Sequence, residues 1–578
     1  MIRQRRLSKS VLPMVSVTPV TSARRSRRVG PAIALTLGFG LLAGCAAIPA
    51  HGPVEVGLAD LAQGEQQVQF NPSGPLVGSS QENLVRGFVL AATSSTDDYA
   101  VAREFLTPDY AQQWDPYAGV IVDEGTRPFR KGADDTGLLS VSQSAEIDES
   151  GTMTPAHPGP SVDMRFEFEM VGNEWRIASA PAGIIVDRAN FSSIWSAHQL
   201  YFVDRNGQLT PETRWFLNRA ALPTEIVTEL LEGPSSLFVT QVESAFPAGT
   251  EVRGDTVVVI DGIAQVDLTG FMPPTHADER KMLDQLLASL QAVPGCSGVR
   301  LSIDGVVIAE DQETDQQSKP EARGRQLIGA REDGFGPISN GVIHPMANLS
   351  SAITELEPDA VSLGKNDALA AVRHRGGVSL VTQAETIPVD SRAQLLEPSI
   401  DDWGWVWTVA ADAPGLARLT ADTGEQSDIR LPWSAEGEVA AVRVAPGGNL
   451  IAALVEDGPN SVVLVAGVTR DKDGKPIGIA EDGVEEMWAT GTPIDLDWID
   501  NTRFVTLTGT GSSTSKVTVG GVGVFSYEQS SVSDGIQVSG SGGRAQIRVR
   551  STAGFVFAPQ GGGWQRVETD VLALATRG

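Results

Sequence analysis

Histidines, cysteines, acidic turns and a row of tryptophans are the places where this chain could do chemistry. The six histidines are His51, His157, His198, His276, His344 and His374. No two stand at His-x-x-x-His or His-Glu-x-x-His spacing, so no local zinc motif is present. No Gly-x-Ser-x-Gly nucleophile elbow occurs. The run from Gly509 to Val517 looks like a phosphate loop but lacks the Gly before Lys516 and the hydroxyl residue after it. It also lies between expected strands, so it reads as a connecting loop. Asp471-Lys472-Asp473-Gly474 has the look of a calcium loop. Thr469 stands where the first acid belongs and Ala480 where the bidentate glutamate belongs, so a hairpin turn fits better. Trp403, Trp405 and Trp407 alternate, which places their rings on one face of a strand. Rings in that register first suggest core between sheets. They also make a candidate partner-binding surface that could stack on sugar rings or on an apolar protein face.

The one chemistry with a specific pattern sits near the N-terminus. Before Cys45 the chain carries eight cations, from Arg3 to Arg28, and no acid; Pro31 to Gly44 is then small and apolar. A basic segment followed by an apolar stretch too short to span a bilayer is an export signal. It closes on Leu42-Ala43-Gly44-Cys45, which resembles the bacterial lipobox. Cleavage between Gly44 and Cys45 would leave a cysteine carrying an S-linked diacylglycerol and an N-acyl chain of palmitate type. More than one chain is what lasting attachment requires. The remaining thiol, Cys296, then has no intramolecular partner and reads as a small buried hydrophobe. The Arg24-Arg25 and Arg27-Arg28 pairs hint at twin-arginine export, but Sec export suits the flanking residues better.

Composition sets the frame for those residues. The 578-residue chain has a net charge of −28, hence −36 once the eight leader cations are removed. Such a surface repels phosphate backbones and argues against nucleic acid as a partner. Two cysteines exclude a disulfide framework and Cys-rich metal sites. No run of about 20 apolar residues marks a transmembrane helix.

The mature chain divides by pattern. Residues 1–44 are the signal peptide, and 45–80 a Gly-, Pro- and Gln-rich tether. Residues 81–190 form an N-terminal α+β domain. Leu84, Val85, Phe88 and Val89 lie on one helical face, capped by Ser80, and Val162 to Met170 alternate as a half-buried strand. Helices on a curved antiparallel sheet are similar, at the level of fold, to cystatin and nuclear-transport-factor-2 (NTF2) proteins. Residues 195–309 form a second α+β domain. Thr224 is a candidate cap for a helix ending at Gly233-Pro234, and Asp261-Gly262 marks a hairpin. A helix from about Ala277 to Gln291 follows. Residues 310–339 are polar and read as a linker. From 340 to 578, paired strands recur every 35–45 residues or so, giving an all-β propeller of about five or six blades.

These parts resemble a known family. Glu229-Leu230-Leu231-Glu232-Gly233-Pro234, Ala245-Phe246-Pro247-Ala248-Gly249-Thr250 and Val266-Asp267-Leu268 look like the GerMN domain of sporulation and germination proteins. The lipobox, this domain and a C-terminal propeller, in that order, resemble the LpqB lipoprotein family of high-GC Gram-positive bacteria. Pro398-Ser399 and Val442 to Gly448 fit that family's blade turns, although Ala445-Pro446-Gly447-Gly448 departs from the commoner Ser-x-Asp-Gly.

The resemblance implies an accessory role: binding the extracellular part of the sensor kinase in the Mtr two-component system and modulating signals tied to cell-wall metabolism and division. The expectation is therefore a non-enzymatic protein without cofactor or metal. It is lipid-anchored on the extracytoplasmic face of the cell membrane, and its partners are that membrane and a sensor kinase, with cell-wall glycan as a further candidate. The alternative is an envelope glycan-binding or assembly factor that has no receptor.

Overall fold

The computed structural model describes residues 72–578 except 134, 272–274, 313–325, 434–436, 512, 541–542 and 578. The signal peptide, Gly44, Cys45 and most of the expected tether lie outside the described residues.

In the first domain, the Ser80 hydroxyl accepts from the Asn83 amide and starts the helix Gln81–Ala91. Leu84, Val85, Phe88 and Val89 are buried beneath it. Burying side chains of that size stabilises by about 1.5–3 kcal/mol each. A second, short helix covers Ala100–Arg103. Two strands in immediate succession, Thr136–Val141 and Gln143–Ile147, carry the chain from one four-stranded sheet into the next. Val162–Val171 pairs with Thr136–Val141 on one side and with Glu174–Ser179 on the other. Phe166 and Phe168 face the core, and Glu167 between them faces solvent.

The second domain is built on the long antiparallel pair Trp195–Asp204 and Leu209–Leu217. The Asp204 carboxylate accepts from the amides of Asn206 and Gln208, which closes the turn. The helix Leu222–Glu232 ends at Gly233 as expected, but its N-cap is Ala221 and not Thr224. Pro223 fits the first turn, where no amide hydrogen is needed, so the helix starts earlier. The Thr224 hydroxyl instead bonds to the backbone of Val257. The Asp261-Gly262 turn joins Val258–Ile260 to Ile263–Thr269. Thr275 caps the helix His276–Leu290, which packs on the domain's sheets.

The third domain is a β-propeller. Among the described residues its strands form six antiparallel units. Their innermost strands are Ala573–Thr576, Ala360–Leu363, Ser399–Ile400, Val439–Val444, Thr492–Trp498 and Gly535–Ser539. Each touches the next, and the last touches the first, so the ring is closed. Closure is made by the chain's last strand. Ala573–Thr576 pairs antiparallel with Ile328–Arg331 and parallel with Ala360–Leu363. Part of the segment expected as a linker, 310–339, is therefore propeller: Ile328–Arg331 and Gly334–Ser339 complete the first blade. A short strand read without its distant partner looks like loop, which is why the domain begins before residue 340.

The middle domain and the propeller share one apolar core. Leu200, Phe202, Ile226 and Leu286 from the former belong to the same buried cluster as Leu450, Leu454, Val463 and Trp498 from the latter. Polar contacts flank it. Asn449 donates to the Thr210 hydroxyl at 3.2 Å, and the Thr469 and Thr240 hydroxyls lie 3.2 Å apart.

Candidate functional site

The tryptophan row does not form a surface. Its strand begins only at Val406, so Trp403 stands in the preceding turn. Trp405 and Trp407 are 7% and 3% exposed and belong to a core between blades, which takes them out of a partner-binding surface. Large rings at a sheet-to-sheet contact bury well. They enclose an ion pair: Asp401 accepts from the Trp407 indole at 2.9 Å and from Arg470 at 2.5 Å, with both charged side chains buried. Trp403 is half-buried under the Arg470 guanidinium, 5.6 Å from its ring centre.

The other sequence candidates also resolve into structure. Gly509 to Val517 spans a hairpin between Arg503–Gly509 and Thr514–Gly521. The Asp471 carboxylate accepts from the amides of Asp473 and Lys475, an Asx-type turn. The Cys296 thiol is half-buried, and burial pushes its pKa up, away from thiolate reactivity. His198 is buried beside Ser196, and burial lowers its pKa. No group of three His, Cys, Asp or Glu side chains among the described residues could hold a metal ion.

At the propeller axis is a polar cluster that the sequence did not announce. Arg443 donates to Glu397 at 2.8 Å and to Asp495 at 3.0 Å. Gln537 donates to Glu397 and accepts from the Leu574 amide and from Arg550. Asp495 accepts from the Val538 amide, and Asp497 from the Gly540 amide. Burial pushes both aspartates up, Asp497 to about 7, while Arg443 pulls them back. The cluster ties four of the inner strands, and a residue two positions before a fifth, to one another, which is a structural task.

The strongest candidate for binding is a cleft of about 360 Å³ between the N-terminal and middle domains. The N-terminal domain supplies Tyr117 and the turn Asp148-Glu149-Ser150-Gly151. The middle domain supplies Trp195, the strand end Trp215-Phe216-Leu217, and the helix face bearing Glu225 and Glu229. The two walls are clipped together behind the cleft by Arg214. Its buried guanidinium donates to Glu212 at 2.6 Å and to the Ser150 carbonyl at 3.0 Å, and lies 3.5 Å from Glu229. The Trp215 amide donates to the Gly151 carbonyl at 2.8 Å. At the mouth, Arg219 donates to Glu225 at 2.5 Å and stacks over Tyr117, 5.4 Å from the ring centre. Burial first, and then the neighbouring acids Glu232, Asp148 and Glu149, push Glu229 up to about 7 against the pull of Arg214. Sequence reading missed these residues. The available signal was Glu212 and Arg214, two apart in a strand and therefore on one face.

Comparison with known proteins places each part. Residues 74–192 match the model described as "Lipoprotein LpqB, N-terminal domain", residues 199–309 the model "Sporulation and spore germination", and residues 339–573 the model "Lipoprotein LpqB beta-propeller domain". The chain is 29% identical to Lipoprotein LpqB of Cutibacterium acnes, over 47% of this chain and 47% of that one. It is 25% identical to Lipoprotein LpqB of Bifidobacterium longum, over 75% and 77%. The chain thus spans about half the length of the first of these relatives. Among solved structures, the first GerMN domain of the sporulation protein GerM from Bacillus subtilis is matched at 23% identity and a TM-score of 0.17. That match covers 22% of this chain and 94% of the other.

Proposed function

The chain belongs to the LpqB lipoprotein family, and from that premise we propose that it is an extracytoplasmic accessory protein that binds a membrane sensor kinase of the Mtr two-component type. In this reading, lipid on Cys45 holds it to the membrane, and its binding biases kinase signalling linked to cell-wall metabolism and division. The observation that carries the reading is the continuous apolar core of the middle domain and propeller. A partner can shift a two-state receptor only by the difference in its affinity for the two states. A surface whose domains are already fixed to one another loses little free energy to ordering when it docks. Anchoring both proteins on one membrane face raises their effective concentration.

In-cell cross-linking of the lipidated protein, followed by mass spectrometry of its partners, tests the reading. Recovery of a sensor kinase, reduced strongly in a Cys45→Ser variant, is the expected result. Enrichment on insoluble cell wall with no kinase recovered would favour the glycan-binding alternative.

A further inference from the structure

The cleft between the first two domains holds more negative charge than its own residues answer. Of the groups lining it, Asp148, Glu149, Glu225 and Glu229 are acidic and Arg219 is the one cation among the described lining residues. Arg219 is already engaged, by Glu225 at its edge and by Tyr117 on its face. Arg214, behind the wall, is shared between Glu212 at 2.6 Å and Glu229 at 3.5 Å. Asp148 accepts from the Ser150 and Thr152 amides and Glu229 has only a share of Arg214, so four carboxylates in the lining stand against one cation of its own. Burial first, and then the neighbouring acids, keep Glu229 hard to ionise. The remaining lining includes Tyr117, Trp195, Trp215 and Phe216.

We propose that this cleft binds a ligand carrying an alkylammonium group on a small apolar or ring-shaped body. An interdomain cleft of this volume, apolar with a few converging polar groups, has the usual build of a small-molecule site. A cation entering it would relieve the repulsion among the carboxylates. An aromatic face beside it would add cation–π attraction. Phosphate-bearing or carboxylate-bearing ligands would meet the same charge with the wrong sign. Two sources offer the required chemistry, a lysine-like side chain on a short peptide and an amino sugar with a free amine. The inference stands apart from the kinase reading, because neither a receptor nor the lipid enters it.

Titration calorimetry on the full chain in detergent micelles tests it. The probes are Nα-acetyl-lysine amide and glucosamine, each paired with a neutral counterpart, Nα-acetyl-norleucine amide and N-acetylglucosamine. At least one ammonium probe should bind at least tenfold more tightly than its counterpart, and which one does so distinguishes peptide from sugar. Glu229→Gln should weaken that binding at least fivefold with an unchanged melting curve. Should that variant fail to fold, Glu149→Gln, at an exposed turn, should weaken it at least twofold. Neutral probes binding as well as the charged ones, no binding by either ammonium probe, or folded variants binding as the parent does would each overturn the proposal.

Discussion

The Trp215 indole nitrogen donates to the Gly523 carbonyl at 2.9 Å, joining a strand of the GerMN domain to a propeller loop 308 residues further along. The same ring packs against Phe191 and Phe525, at centroid distances of 5.1 and 5.5 Å, and so touches all three folded parts of the chain. Arg188 adds a bond to the Ser526 carbonyl and covers the Phe525 ring. Trp215→Phe keeps an aromatic ring but strips the donor from Gly523. Loss of one hydrogen bond to a partly buried carbonyl costs about 1–2 kcal/mol. Chemical denaturation should show a loss of that size, with an early separate transition as the first two domains loosen from the propeller.

Behind Gly523 sits a second link. Its amide donates to Glu486 at 3.0 Å, and burial pushes that carboxyl up to about 8. The proton therefore stays on Glu486 in the fold up to about pH 8, whereas in the unfolded chain it leaves near pH 4.3. Between those values the unfolded state binds fewer protons, so this residue's contribution to stability falls as pH rises. Glu486→Gln keeps an oxygen for the Gly523 amide and cannot ionise. Its stability relative to the parent should climb between about pH 4.5 and 8, by up to about 1.4 kcal/mol per pH unit, and then level off. Thermal melts across that range check both the slope and its sign.

What the sequence disclosed and what it withheld follow one physical distinction. The helix end at Gly233-Pro234 and the Asp261-Gly262 hairpin were legible because their causes lie within a few residues. Propeller closure was not, because Ile328–Arg331 is a strand only through its partner at the opposite end of the domain. Trp405 and Trp407 share one buried cluster, but their depth depends on which blade covers them. For the cleft, the local signal was the Glu212 and Arg214 pair alone, which marks the wall and not the opening. Its charge excess exists only once a turn from one domain meets a helix from the next.

At the propeller axis, Arg443 offsets the charge of Glu397 and Asp495 at once. Removing one member of a buried ionic cluster leaves the others uncompensated and costs about 3–5 kcal/mol. Arg443→Met should destabilise the propeller by roughly that amount. Adding Asp495→Leu should recover part of the loss, since the stranded carboxylate goes with it. If the double variant is as unstable as the single one, the cost lies in lost packing and not in unpaired charge. Calorimetric melting of both variants separates these outcomes.

Two glycines with the same backbone twist isolate the contact that holds the first two domains together. Gly151 has φ of +80° and Gly207 +76°, so each would oblige a side-chain-bearing residue to take a left-handed conformation. That alone costs about 1–2 kcal/mol. A Cβ on Gly207 would meet nothing within 4 Å, while one on Gly151 would lie 2.6 Å from the Trp215 carbonyl oxygen. The obstacle at Gly151 is backbone and cannot swing aside, so the 148–151 turn would have to move off the Trp195–Leu217 strand pair. Gly207→Ala should therefore lose only the conformational cost. Gly151→Ala should lose clearly more and also shift the fluorescence of Trp215, which lines the wall the turn now covers. Equal losses in the two variants, with no fluorescence change in either, would show that the turn does not hold the domains together.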